Sequence, residues 1–242
     1  MSALLQVHNV SRSFRTTLAV NDVCFEVAPG ELLGLIGPNG AGKSTLFNLI
    51  AGVIAPSSGQ IVFDGKLVTG WKSHDIARVG VARTFQIPKP YRQLSVVENV
   101  MLSAFRQEKS LAGARKLAEA TLADVGLADY GGTPASSLTV GLLKRLEVAR
   151  ALALRPKLVL FDEIMAGLTP TEVGTMTKLV AELPGQGITV IWVEHVLYAI
   201  MKTATRMIVI NRGEVIAEGT PAVMARHPAV VKAYLGEEMV LA

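Results

Sequence analysis

The stretch Gly37-Pro38-Asn39-Gly40-Ala41-Gly42-Lys43-Ser44-Thr45 constrains this chain more than any other. It fits the pattern G-x-x-x-x-G-K-[S/T], with Gly37, Gly42, Lys43 and Ser44 at the fixed positions. The apolar run from Leu32 to Ile36 predicts a buried strand leading into it. Thr45 to Ile50 predicts the helix leaving it, with Gly52 past the end. In such a strand–loop–helix unit, glycines let backbone N–H groups turn toward an anion, and the helix N-terminus adds the positive end of its dipole. Lys43 then reaches the β- and γ-phosphates of a nucleotide, and the Ser44 hydroxyl is a ligand for Mg²⁺.

With 242 residues, half of them hydrophobic and 18% charged, the chain can bury a large α/β core. No apolar run approaches the roughly 18 residues that a membrane span needs. The opening MSALLQVHNV predicts no secretory signal. Cys24, the single cysteine, has no internal partner and fits a reducing compartment. A positive mean hydropathy without a span points to apolar surface covered by a partner. The net charge of +4 is scattered, without a basic block, which favours a solvated surface over a nucleic-acid groove.

Along the chain, Leu4–Val10 and Ala19–Val27 predict strands, and Phe14 lies between them. Phe14 either fills core or stacks on an adenine ring; its neighbourhood leaves both open. A turn at 56–59 precedes a strand over Gln60–Phe63. Ser73–Val79 predicts a short helix capped by Ser73, and Val81–Phe85 a strand ending at Gln86. Two prolines keep Ile87–Gln93 out of regular structure. Helical periodicity covers Ser95–Phe105, Leu111–Val125 and Gly141–Leu154, the last with Thr139 as cap. This helical middle interrupts the α/β pattern, so residues 87–155 are expected to form a subdomain inserted between core segments 1–86 and 156–242. Beyond it come a strand over Lys157–Phe161, a helix over Thr171–Leu183 and a strand over Ile188–Val193. A helix over His195–Lys202, strands over Arg206–Ile210 and Glu214–Glu218 and a short helical tail complete the chain.

The second chemical signal is Leu158-Val159-Leu160-Phe161-Asp162-Glu163, an apolar strand ending in two carboxylates. Ligands of open α/β sheets bind at the carboxyl ends of strands, so this pair can face the phosphate loop. Asp162 is expected to hold Mg²⁺ and Glu163 to orient or deprotonate the attacking water. His195 and Gln86 each follow an apolar strand. His195 is either a solvated residue or a γ-phosphate contact, and Gln86 either a surface amide or a sensor of Mg²⁺ and water.

In combination, Phe14, GPNGAGKST, Gln86, LTVGLLKRLEVARAL (138–152), LVLFDE, AGLTP (166–170) and VEHVL resemble the ATP-binding subunit of ABC transporters over essentially the whole chain. The resemblance implies a P-loop NTPase core of ABC ATPase type, with an antiparallel β subdomain and an inserted helical subdomain. It implies Phe14 as the adenine-stacking aromatic, Gln86 as the Q-loop glutamine and His195 as the switch histidine. Leu138, Thr139, Val140, Gly141 and Leu142 become the signature loop, which caps ATP bound by the opposite subunit of a head-to-tail dimer. The partners implied are a second ATPase subunit, identical or paralogous, transmembrane permease subunits and a solute-binding protein, with no nucleic acid. The location implied is the cytoplasmic face of the membrane.

GVARTFQ (80–86), LSVVENV (94–100) and GEVIAEGTP (213–221) are similar to the branched-chain amino acid transport ATPases, and in part to relatives that handle urea or lipopolysaccharide. Two positions depart from the family pattern. Leu142 replaces a glutamine and cannot donate a hydrogen bond, and Ile164 stands where proline commonly follows the catalytic Glu. The first departure keeps open a cassette that binds ATP without turnover. A nucleic-acid ABC ATPase is the other rival, but the roughly fifty residues between Gln86 and the signature lack the sustained heptads of its coiled coil.

Overall fold

The computed structural model describes residues 2–235. Its centre is a six-stranded sheet in the order β10-β9-β3-β8-β7-β6. Strands β3 (Leu32–Ile36), β6 (Val81–Arg83), β7 (Leu158–Asp162), β8 (Thr189–Val193) and β9 (Arg206–Asn211) run parallel, and β10 (Glu214–Gly219) pairs antiparallel with β9. Every residue of β3, β7 and β8 is buried, which is why these strands read as unbroken apolar runs.

Alternate residues of these strands serve two cores. Leu32, Val159, Phe161, Val190 and Trp192 face helices α3 (Val96–Ala104), α4 (Leu111–Asp124), α5 (Val140–Leu152), α6 (Pro170–Glu182) and α7 (Leu197–Thr203). Leu33, Leu35, Leu158, Leu160, Ile191 and Val193 face the other side. There they meet α1 (Lys43–Ile50), α2 (Ser73–Val79) and a four-stranded antiparallel sheet. That sheet has the order β2-β1-β4-β5, formed by β1 (Leu5–Phe14), β2 (Thr17–Val27), β4 (Ser58–Phe63) and β5 (Lys66–Leu67). Helices α8 (Pro221–Met224) and α9 (Pro228–Leu235) follow β10. Among the described residues no helix is long and apolar enough to cross a membrane.

Local chemistry sets several helix starts. Ser95 and Glu98 form a reciprocal capping box ahead of α3, and Thr169 and Glu172 do so ahead of α6, where Pro170 takes the first helical position. Thr139 caps α5, its hydroxyl accepting from the Leu142 N–H at 3.4 Å.

Other expectations are corrected. Ser73 does not cap α2: Lys72 occupies that position with no side-chain cap bond. Strand β1 continues to Phe14 because β2 starts at Thr17 and pairs with it across a tight hairpin. The expected strand to Phe85 stops at Arg83; Thr84 gives its N–H to Leu160 O at 3.0 Å, and the chain then leaves the sheet edge. Helix α7 starts at Leu197, not His195, since Val196 at φ −80°, ψ 78° is not helical.

Candidate active site

The phosphate loop joins β3 to α1, and Gly42 caps the helix from a left-handed conformation at φ 104°. A Cβ on Gly42 would fall on the Ala19 carbonyl oxygen and one on Gly37 on the Ile210 oxygen, so only glycine lets the loop wrap this tightly. Helix α1 thereby presents its first N–H groups to the loop's interior. The loop bounds a hollow of about 190 Å³ lined by Ala19, by residues 39–45 and by Glu163. Ser44 is exposed there. Lys43 is buried, and its Nζ donates to the loop's own oxygens, Gly37 O at 2.6 Å and Pro38 O at 2.9 Å. Burial holds its pKa below the usual lysine value, while the nearby Glu163 and Asp162 carboxylates act to raise it.

Strand β7 delivers Asp162, buried, and then Glu163 in a left-handed conformation, φ 50°. That φ is unusual for a residue with a side chain and is held by its surroundings. The Glu163 N–H donates to Val193 O at 2.9 Å. Its carboxylate gathers the two separate sequence candidates: Gln86 Nε2 donates to Oε2, and His195 Nε2 lies 2.8 Å from Oε1. Asp162 is paired with Arg83 Nη2 at 2.8 Å, and Arg83 Nη1 donates to Asn48 of α1.

Three charged residues here carried no sequence signal of their own. Lys144, buried on α5, donates to the main-chain oxygens of Gln86 and of Glu163. Glu194, also buried, accepts the Met165 N–H at 2.8 Å and lies 3.4 Å from Trp192 Nε1; burial raises its pKa. Glu147 is buried one turn beyond Lys144 and pairs with Arg150 at 3.1 Å; burial raises its pKa too. Arg150 in turn donates to Lys89 O at 2.9 Å and stacks over Tyr91. Their trace in the sequence is charge alone, for Lys144 and Glu147 within a helix of leucines and alanines and for Glu194 between the apolar strand β8 and His195.

The remaining candidates stand apart from the hollow. Phe14 sits 43% exposed at the tip of the β1–β2 hairpin, with the Arg12 guanidinium 4.8 Å from its ring centre. Leu138 is buried, Thr139 and Val140 are exposed, and Leu142 packs its half-buried side chain on the helical core. Gly141 lies so close to the Glu172 carboxylate that a Cβ would overlap it. Ile164 is fully buried in the same core.

A glycine cradle at a helix N-terminus, a strand-end acid pair beside it and a sheet of P-loop order define an ATP-hydrolysing nucleotide-binding cassette. A family model described as ABC transporter matches residues 20–166. A second, described as branched-chain amino acid ATP-binding cassette transporter, matches 214–240, the end of which lies outside the described residues. The high-affinity branched-chain amino acid transport ATP-binding proteins BraF of Pseudomonas aeruginosa and LivG of Escherichia coli K12 are each 36% identical, over 97% of this chain and 98% of theirs. The lipopolysaccharide export system ATP-binding protein LptB of Acidithiobacillus ferridurans is 34% identical over 98% of this chain and 99% of its own. Among solved structures, the ADP conformation of the ATP-binding cassette MJ1267 superposes with a TM-score of 0.87 at 29% identity, covering 98% of this chain and all of that one. The chain belongs to the ABC transporter family, as the subunit that binds and hydrolyses ATP.

Proposed function

We propose that this subunit drives transport of branched-chain or related amino acids. The observation that carries this reading is the joint match, whole-chain identity to BraF and LivG together with the branched-chain family model over 214–240. The subunit works peripherally at the cytoplasmic face of the membrane with permease subunits, a solute-binding protein and a second ATPase subunit, identical or paralogous. Pairing is supported by the dimeric, ADP- and phosphate-bound cassette MJ0796, similar at a TM-score of 0.82 and 25% identity. Residues 1–86 and 156–242 act as the nucleotide-binding core and 87–155 as a helical subdomain.

In this reading, residues 37–45 bind the phosphates and Lys43 exchanges its two loop oxygens for phosphate oxygens. Phe14 stacks on the adenine. The hard oxygen donors Ser44, Asp162 and Gln86 suit Mg²⁺, and the Arg83 pair on Asp162 fixes the carboxylate's orientation. Mg²⁺ held by these residues would supply positive charge against the phosphate oxygens. Glu163 takes the proton of the attacking water, while Gln86 and His195 aim its two oxygens. Leu138 to Leu142 cap the γ-phosphate of the opposite subunit through the Thr139 hydroxyl and backbone.

The test is uptake of radiolabelled leucine, isoleucine and valine in cells lacking this subunit, with and without the restored gene. Loss and recovery of uptake support the reading. Intact uptake with lost lipopolysaccharide export, the alternative favoured by the LptB similarity, overturns it.

A further inference from the structure

Lys144 is 3% exposed, and an ammonium that deep is retained only where its hydrogen bonds and charge are matched. Its donors are spent in an unusual way. One goes to Gln86 O and one to Glu163 O at 3.1 Å, so a single ammonium grips the main chain of two residues whose side chains also meet. The carboxylates of Glu194, Glu163, Glu147 and Asp162 supply the compensating charge.

Glu163 cannot hold its left-handed backbone by intrinsic preference. Val193 O secures its N–H from one side, and Lys144 secures its carbonyl from the other. The clamp comes from α5, the helix that Thr139 caps, and closes on the start of the 87–93 loop. A helix, a sheet strand and a loop are thus tied at one nitrogen atom, directly behind the carboxylate that faces the phosphate loop.

We infer that Lys144 is a positioning residue for hydrolysis: by binding the main-chain oxygens of Gln86 and Glu163 together, it sets the aim of the Glu163 carboxylate. The inference rests on the reading of Glu163 as the base. The competing view is a buried cation that only balances nearby carboxylates, and it predicts lost stability without a selective loss of turnover.

The experiment uses the transporter complex purified with its partners, assayed with Mg-ATP. Lys144→Met keeps the length of the stem and removes the donors. It is expected to lower kcat about 10- to 100-fold, the usual effect of a catalytic group misplaced by a fraction of an ångström to one, with KM for ATP within about threefold. Lys144→Arg, which keeps donors, should recover most of kcat. In a Glu163→Gln background Lys144→Met should change residual turnover by less than about twofold, because both substitutions act on one carboxylate. Should Lys144→Met not fold, Lys144→Leu, which also lacks a donor, carries the same comparisons. A kcat within about threefold of wild type, or a full further loss in the Glu163→Gln background, would overturn the inference. If Glu163→Gln itself turns over normally, the reading of the base has failed instead.

Discussion

Glu163→Gln exchanges one carboxylate oxygen for an NH₂ group where each oxygen has its own partner. Gln86 Nε2 donates to Oε2, and His195 Nε2 lies 2.8 Å from Oε1. The amide oxygen keeps the Gln86 contact, and the NH₂ donates to His195 in its acceptor tautomer, so the resting site is preserved. What disappears is a proton acceptor. A general base contributes roughly 10²–10⁴-fold, or about 2.7–5.4 kcal/mol at 1.36 kcal/mol per decade. Losing one neutral hydrogen bond costs only about 0.5–1.5 kcal/mol, at most about tenfold. The two explanations therefore separate on magnitude. ATP binding should persist at neutral pH, because residues 37–45 are untouched.

The same change acts on Lys43. Burial lowers its pKa and the Glu163 charge partly restores it, so removing that charge lowers it further. On the proposed role of Lys43, phosphate binds its protonated form. Affinity is complete below the free-state pKa and falls as pH rises through it, so in the variant that decline should begin at a lower pH. The assays are steady-state phosphate release by the purified transporter and equilibrium binding of a fluorescent ATP analogue from neutral to alkaline pH. Turnover within about tenfold of wild type would refute the assignment of Glu163 as base.

Leu142→Gln replaces a half-buried side chain packed on the helical core, so it should cost about 1 kcal/mol of stability, seen as a lower Tm, with turnover unchanged; a several-fold rise in turnover would show that an amide there contacts nucleotide. Tyr91→Ala with Arg92→Ala removes two exposed side chains, while Asn99 still holds the Tyr91 backbone at both N–H and C=O. If this proline-stiffened loop with its exposed aromatic docks the permease, nucleotide binding persists while complex yield or uptake falls; wild-type values of both would show that it does not. In Glu194→Gln the Oε1 contacts to Met165 and Trp192 can remain, but the buried charge is gone. The folded-state pKa of Glu194 lies above its unfolded value, so the folded protein holds the extra proton between them and wild-type stability falls as pH rises through that window. The Tm of the variant should therefore gain on wild type from about pH 4.5 upward; a pH-independent difference would show that Glu194 is not the titrating group.

Much of this molecule was legible in its residue pattern. Glycines at 37 and 42 followed by Lys43 demand one loop conformation, Thr139 marks the start of its own helix, and the apolar runs of β3, β7 and β8 read as buried strands. All of these depend on residues within a few positions of one another, where spacing alone sets the geometry. Which partners the strand ends meet depends on sheet order, and β10-β9-β3-β8-β7-β6 does not follow the chain. Tertiary structure alone brings Gln86 and His195 onto the two oxygens of Glu163, sets Arg83 on Asp162 and places Lys144 behind the site. These contacts join residues 19 to 79 positions apart. The Lys144 side chain is polar in a helix that packs on apolar neighbours, and the left-handed Glu163 defies its own backbone preference. Each helps to satisfy the other, with Val193 O also on Glu163 and Gln86 O also on Lys144, and no local pattern in a chain encodes such a mutual condition.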